Sequence, residues 1–258
     1  MREKEGFYLL AEERFSMILQ LLKEKRTATV GECSEITGAS EATVRRDLNL
    51  LHKQGKLIKV HGGATILDNT FVMGERDVTT KSQMNVEEKK RIAAYAAAQI
   101  EEDDFVFLDA GTTTIYMADY INTANAVYVT TGIELARRLM EKGLRVFVVG
   151  GQLKAGTEAI MGSQAVDSMS RYNFTKAFLG MNGVSVRAGF TTPDPEEAMT
   201  KATAMERSYI TYILADHTKF GKVSSVTVAP LSAATIITDQ LADEVYREHT
   251  TVKEVSEG

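Results

Sequence analysis

The run Asp109-Ala110-Gly111-Thr112-Thr113-Thr114 puts a carboxylate, a glycine and three hydroxyls directly after the apolar stretch Phe105–Leu108. If a helix starts there, its unpaired amides and the positive end of its dipole favour an oxyanion, and the hydroxyls add donors. That suits a phosphate monoester better than a dinucleotide, because no GxGxxG run is present. An ordinary capped helix start would use the same residue types. Similar polar runs are Thr130-Thr131-Gly132, Gly150-Gly151-Gln152 and Gly180-Met181-Asn182-Gly183. In Asp216-His217-Thr218-Lys219-Phe220-Gly221, Lys219 is either an ammonium for a phosphate or a plain surface lysine. The loop Gly189–Glu197 adds Thr191, Asp194 and Glu196, whose carboxylates either accept sugar hydroxyls or cap the following helix. The candidate ligand-binding residues are Asp109, Gly111, Thr112, Thr113, Thr114, Thr130, Gly151, Asn182, Thr191, Asp194, Glu196 and Lys219.

A second kind of chemistry lies near the N-terminus. Residues 43–64 hold five basic side chains, Arg45, Arg46, Lys53, Lys56 and Lys59, against one acid, Asp47. Arginine fits the O6/N7 edge of guanine and asparagine the N6/N7 edge of adenine, and both bind phosphates. A helix capped by Ser40 and running to about Gln54, ended by Gly55, puts Val44, Leu48 and Leu51 on one face. Ala42, Arg46, Asn49 and Lys53 then point the other way, with Arg45 on the flank. Small residues at its start, Ser40, Ala42 and Thr43, let the backbone approach base edges. A solvated helix face would look the same from charge alone.

These side chains need a scaffold. Phe15, Ile18, Leu19 and Leu22 make an apolar stripe over a helix from Glu12 to Lys25. Thr29 and Glu32 form a capping box for a short helix that Gly38 ends. Leu57–His61 and Ala64–Leu67 predict a hairpin about Gly62-Gly63. Two helices, a polar third helix and a hairpin make a winged helix-turn-helix over residues 1–67. Residues 68–84 lack periodicity and predict a linker. Asn85 then predicts a helix cap with Glu88 at the third position, and Ile92, Ala93, Ala96, Ala97 and Ile100 the buried stripe.

From there to residue 258, short apolar runs alternate with helical patterns. Strands are expected at Phe105–Leu108, Ala126–Thr130, Arg145–Val149, Lys176–Leu179, Tyr212–Ala215, Val226–Ala229 and Thr235–Ile237. Helices are expected near 113–121, 133–141, 163–170, 196–208 and 241–248. The alternation predicts an α/β domain with a mostly parallel sheet covered on both faces, whose ligands sit at the C-terminal strand ends.

SEATVRRDL at 40–48 followed by KVHGGA at 59–64 resembles the signature of the DeoR family of bacterial transcriptional regulators. The resemblance continues through DAGTTT, GGQL, GFTTPDPEEA and DHTKFG, over about residues 10–250. It implies a recognition helix in the major groove and a wing, with His61 and Gly62, on the backbone of double-stranded operator DNA. It also implies a C-terminal domain, residues 85–258, similar in fold to ribose-5-phosphate isomerase and glucosamine-6-phosphate deaminase, that senses a phosphorylated sugar. GMNGV followed by GFTTPDPEEA most resembles the fructose-operon repressors of Gram-positive bacteria, whose expected effector is fructose 1-phosphate. The related lactose-operon repressors, expected to sense tagatose 6-phosphate, are the alternative. A homodimer or homotetramer is expected, because one small module buries limited surface on DNA.

The composition narrows the function classes. The 258 residues have a net charge of −5, yet residues 1–67 carry +2. A lone cysteine, Cys33, excludes a disulfide framework and a cysteine zinc site. The histidines at 52, 61, 217 and 249 are too scattered for a metal cluster. No cofactor or metal is expected, no apolar run approaches the roughly 20 residues that span a bilayer, and the expected compartment is the cytoplasm. The competing class is a sugar-phosphate isomerase. Relatives of that fold carry Asp-Gly-Ala-Asp, whereas this chain has Gly180-Met181-Asn182-Gly183, and Asn182 is no base. Asp109 and Asp216 remain as carboxylates without evident partners, and a regulator is expected, not an enzyme.

Overall fold

The computed structural model describes residues 10–54, 56–66, 71–72, 77–241 and 243–255. The chain divides into two compact units, Met1–Asn69 and Thr70–Gly258, each with its own core.

The first unit runs α1 (Ala11–Lys25), β1 (Thr27–Thr29), α2 (Val30–Thr37), α3 (Glu41–Lys53), β2 (Leu57–Val60) and β3 (Gly63–Ile66). The expected stripe of α1 buries Ile18 and Leu22, with Phe15 and Leu19 packed alongside. The Thr29 hydroxyl accepts from the Glu32 amide at 3.2 Å, and the Glu32 carboxylate accepts from the Thr29 amide at 2.8 Å. Gly38 ends α2 in the left-handed region, and the Ser40 hydroxyl accepts from the Thr43 amide at the start of α3. Gln54 closes α3; Gly55 and Leu67 lie outside the described residues.

The hairpin differs from expectation. It turns at His61-Gly62, with Gly62 at φ +81°, and Gly63 already belongs to β3. The reason is β1, a third strand that pairs with β3 and was not foreseen. A Cβ on Gly63 would lie 2.2 Å from the Ala28 carbonyl oxygen, so only glycine lets the two strands approach.

Asp47, the one acid counted among the basic residues of 43–64, is buried. The Arg14 guanidinium donates to both of its oxygens, at 2.7 and 3.1 Å, tying α1 to α3. The bond to Asp47 raises the Arg14 pKa. Such a charge-assisted pair contributes about 1.5–3 kcal/mol. Asp47→Ala should therefore speed amide hydrogen exchange across residues 41–53 of the full chain by roughly tenfold to a hundredfold. Unchanged exchange would make the pair energetically neutral.

The second unit opens with α4 (Val78–Ser82), inside the stretch read as a linker, where the Asp77 carboxylate accepts from the Thr80 amide. Next come α5 (Val86–Ala97), β4 (Phe105–Leu108), α6 (Thr112–Tyr120), β5 (Val127–Thr130), α7 (Ile133–Glu141), β6 (Arg145–Val148), β7 (Gln152–Lys154), β8 (Ala159–Met161) and α8 (Ser163–Met169). They are followed by β9 (Phe174–Gly180), β10 (Gly183–Ser185), β11 (Gly189–Thr192), α9 (Pro195–Glu206), β12 (Ser208–Leu214), β13 (Val226–Ala229), β14 (Thr235–Thr238) and β15 (Val252–Glu254).

Among the described residues the main sheet is seven-stranded and parallel, in the order β15-β14-β12-β9-β4-β5-β6. Its side chains alternate between two cores, as the period of two requires. Phe107, Ala177 and Ile213 enter one; Val106, Leu108, Phe178 and Leu214 enter the other, beneath α5, α6 and α7.

One strand lies in a different sheet, and two expectations fail. Val226–Ala229 is a strand but joins β10 and β11 in a small antiparallel sheet. Among the described residues of 241–248 there is a 3-10 turn, Glu244–Glu248, in place of the expected helix. Asn85 does not cap α5: it adopts φ +50°, and its side chain donates to Asp216 instead, at 3.0 Å.

Strand order fixes where a ligand can go. From β4 the chain builds outward through β5 and β6, then crosses back to β9 and builds the other way. The switch falls between β4 and β9, and the helices that leave their carboxyl ends in opposite directions open a crevice there.

Candidate functional site

A cavity of about 660 Å³, its open mouth included, occupies that crevice. Of the candidate residues, Asp109, Gly111, Thr112, Thr113, Asn182 and Lys219 line it. Asp109 follows β4, Thr112 and Thr113 open α6, Asn182 follows β9 and Lys219 follows β12. The first intrahelical amide bond of α6 is Ile115 to Gly111, so the amides before it have no helical acceptor, and Gly111, Thr112 and Thr113 line the cavity.

Gly111 itself adopts an ordinary extended backbone, φ −73°, so a tight turn is not what requires it. A Cβ there would meet the Thr114 hydroxyl at 3.4 Å and the Asp109 carboxylate at 3.5 Å, within ordinary contact.

The other candidates do different work. The Thr114 hydroxyl is turned back onto the Asp109 and Gly111 carbonyls, each at 2.6 Å. The Thr130 hydroxyl accepts from the Gly132 amide, and the Thr191 hydroxyl from the Ser224 amide. Asp194 caps α9, accepting from the Glu196 and Glu197 amides, and pairs with Lys154 at 2.9 Å. Glu196 is exposed, and Gly151 packs against Met161 and Ala165. None of these six residues lines the cavity.

Four lysines do line it: Lys81, Lys89, Lys201 and Lys219. Only Lys219 was singled out from sequence. Lys201, 4% exposed, sits between the Asp109 carboxylate at 2.5 Å, the Gly180 carbonyl at 3.0 Å and Glu197 at 3.3 Å. Burial alone would pull its pKa down, but the Asp109 and Glu197 carboxylates outweigh this and hold it above the ordinary lysine value. Asp109 also accepts from the Gly180 amide at 3.0 Å, so it is not a spare base. Asp216 is likewise engaged, by Asn85 and by the Thr218 amide.

Lys89 is the opposite case. It is 4% exposed, and its ammonium donates to the Lys81 carbonyl. Burial lowers its pKa to about 8, with Lys219 and Lys81 adding to the fall and Asp216 and Glu88 opposing it. A cation held this reluctantly is stabilised by any anion that enters. The cavity continues into a second lobe, lined by Lys81, Lys89, Lys219 and Lys222 with Asp216 as its carboxylate. Ammonium groups thus outnumber carboxylates among the residues that line that lobe.

In the first unit, Ser40, Ala42, Arg45, Arg46, Asn49, Lys53, His61 and Gly62 are all exposed, and Thr43 is half-buried. Arg46 makes no ion pair among the described residues, while Arg45 pairs with Glu41 at 3.0 Å. Lys59 on β2 donates to the Asn49 side-chain oxygen at 2.8 Å, which leaves the Asn49 amide nitrogen as the group offered outward.

Two family models match this chain: the DeoR-like helix-turn-helix domain over residues 14–70 and the DeoR C terminal sensor domain over residues 84–240. The chain belongs to the DeoR family. This DeoR-type transcriptional regulator is 41% identical over 251 residues to a Bacillus subtilis (strain 168) protein named uncharacterized HTH-type transcriptional regulator FruR, covering 96% of this chain and 99% of that one. It is 36% identical to the HTH-type transcriptional regulator GlpR of Haloferax volcanii, over 93% of this chain and 94% of the relative. It is 33% identical to the lactose phosphotransferase system repressor of Staphylococcus aureus (strain N315), over 90% and 93%. Among solved structures, ribose 5-phosphate isomerase A from Methanocaldococcus jannaschii is similar with a TM-score of 0.38 and 12% identity, over 53% of this chain and 55% of that one. Among the described residues, no helix of this regulator is long and apolar enough to cross a membrane.

Proposed function

We propose that this regulator represses a sugar-utilisation operon and is released by a phosphorylated sugar bound in the cavity between β4 and β9. The observation that carries the reading is the meeting of helix-end amides, threonine hydroxyls and partly desolvated lysines in one crevice. Fructose 1-phosphate is the first ligand to test, because GMNGV and GFTTPDPEEA have the fructose-repressor spelling and one relative is named FruR. Tagatose 6-phosphate is the second, given the likeness to a lactose phosphotransferase system repressor.

In this reading the phosphate docks on the first turn of α6, near Thr112 and Thr113, and Lys89 and Lys219 supply counter-charge. Asn182, Asp109 and Glu197 meet sugar hydroxyls. Residues 1–67 hold the operator, with α3 in the major groove and the wing at His61-Gly62 on the backbone. Residues 68–84 connect this head to the sensor, 85–258, although α4 already contributes Val78 and Lys81 to the cavity wall. Two or four copies in the cytoplasm act together, since operators read by such heads are repeated half-sites. The ligand can lower operator affinity only by as much as it prefers the DNA-incompetent state. Sensing is favoured over turnover because Asp109 and Asp216, the carboxylates an isomerase would use, are both committed to internal bonds.

The test is gel-shift binding to the DNA upstream of the gene's own operon. Arg46→Ala should weaken the specific complex by about 1–3 kcal/mol and relax the preference at one base pair. Operator affinity equal to wild type would remove Arg46 from the reading face.

A further inference from the structure

Thr157 stands in the turn between β7 and β8 and lines the cavity. It is 9% exposed, and its hydroxyl has no hydrogen-bond partner among the described residues. A buried polar group left unpaired is costly, so its presence at the wall of a cavity points to a partner that arrives from outside. The turn is firmly built. The Glu158 amide donates to the Lys154 carbonyl at 2.8 Å, and the Ile160 amide to the Thr131 carbonyl at the end of β5, also at 2.8 Å.

The same turn touches α4. The Gly156 carbonyl accepts from the Val78 amide at 3.1 Å, and α4 then adds Val78 and Lys81 to the cavity wall. The Lys89 ammonium donates to the Lys81 carbonyl. Just upstream, the Val72 amide donates to the Val223 carbonyl at 2.7 Å, and Val72 lines the adjoining lobe. Val72 and Val78, which follow the boundary between the two units in sequence, thus line the adjoining lobe and the cavity.

We propose that the Thr157 hydroxyl contacts the effector, and that the β7–β8 turn and α4 close over it as one cover, so that occupancy is felt by the segment leading from the DNA-binding head. This rests on the sugar-phosphate reading of the cavity. A ligand oxygen satisfies the orphaned hydroxyl, and the bond between Gly156 and Val78 passes the restraint to α4. Lys81 draws α4 towards the ligand's charge.

The experiment is calorimetric titration of the full-length protein with fructose 1-phosphate, fructose 6-phosphate, fructose 1,6-bisphosphate and tagatose 6-phosphate. Wild type, Thr157→Val and Thr157→Ser are compared, and amide hydrogen exchange over residues 77–84 is followed at saturation. Valine keeps the shape and removes the hydroxyl, so it should weaken the best-binding sugar by about tenfold, while serine stays within about twofold. Exchange over 77–84 should slow on binding in wild type and in the serine variant. If valine fails to fold, Thr157→Ala carries the same expectation. Wild-type affinity in the folded valine or alanine variant would overturn the contact, and unchanged exchange in saturated wild type would overturn the cover. A wild type that binds none of the four sugars would instead overturn the sugar-phosphate reading, and the proposal with it.

Discussion

Replacing Lys201 by methionine should lower the melting temperature of the protein's sensor unit by about 10 °C. The substitution nearly preserves length and volume but deletes the cation between Asp109 and Glu197, both at the cavity floor. Removing one partner of a buried ion pair costs about 3–5 kcal/mol, because the remaining charge is left without water or counter-ion. For a unit of this size, each kcal/mol shifts the midpoint by about 2–4 °C. The double variant Lys201→Met with Asp109→Asn should recover part of the loss, since the orphaned charge is gone. A single variant that melts within 2 °C of wild type would contradict the pairing. The prediction also separates two roles for Asp109: a free base would be little affected by Lys201, whereas a structural anchor for Gly180 depends on it.

The second large effect concerns Lys89 and pH. Its pKa, lowered to about 8 by burial, means that its charge is partly lost just above neutrality. The groups facing it are Asp216, Lys219, Lys81 and Glu88. A phosphate monoester, with a second pKa of about 6, stays a dianion above pH 7. Sugar-phosphate affinity should therefore fall as pH rises from 7 to 9, and binding near pH 8 should be accompanied by proton uptake. Lys89→Met should bind about tenfold or more weakly at pH 7 and show little pH dependence over the same range.

Stability without ligand should move the other way. The folded state carries a cation it disfavours below about 8, while the unfolded chain keeps its proton up to the ordinary lysine range. Unfolding free energy from this residue thus rises between pH 8 and about 10.5. The melting temperature of wild type should gain on that of Lys89→Met across this window, as measured by scanning calorimetry. A constant gap, together with pH-independent affinity in wild type, would mean that Lys89 titrates as an ordinary lysine.

How legible these features were depended on whether the signal was local. Thr29 and Glu32 sit three residues apart, and their reciprocal bonds form within one turn, so sequence alone predicted them. The helix expected near 133–141 matches the observed Ile133–Glu141. The strands of the parallel sheet were visible as short apolar runs, because burial on both faces removes polar alternation. By contrast β1, β7, β8, β10 and β11 have three or four residues each, too short to show a period of two, and β1 is defined by a partner far along the chain, β3. Asn85 looked like a cap by residue type, but Asp216, 131 residues away, captured its side chain.

The cavity was half legible. Asp109 and Thr112–Thr113 announced themselves through strand-loop-helix order. Lys89 and Lys201 did not, yet each stands where its helix should be apolar. Lys89 precedes Ile92, Ala93 and Ala96 on the buried stripe of α5, and Lys201 falls between Ala198 and Ala204-Met205 on α9. A lysine at a stripe position is the signal that reading by motif passed over. Thr130, Thr191 and Asp194 show the converse: hydroxyls and carboxylates at strand ends often satisfy nearby backbone amides, and residue type cannot distinguish that from ligand binding.

The most direct measurement is fluorescence anisotropy of labelled upstream DNA bound by the full-length protein, titrated with fructose 1-phosphate at fixed salt and pH 7. The account predicts tight specific binding that weakens by tenfold or more as the sugar phosphate saturates, with no such loss on adding fructose itself. DNA affinity unchanged by fructose 1-phosphate and by tagatose 6-phosphate alike would contradict it.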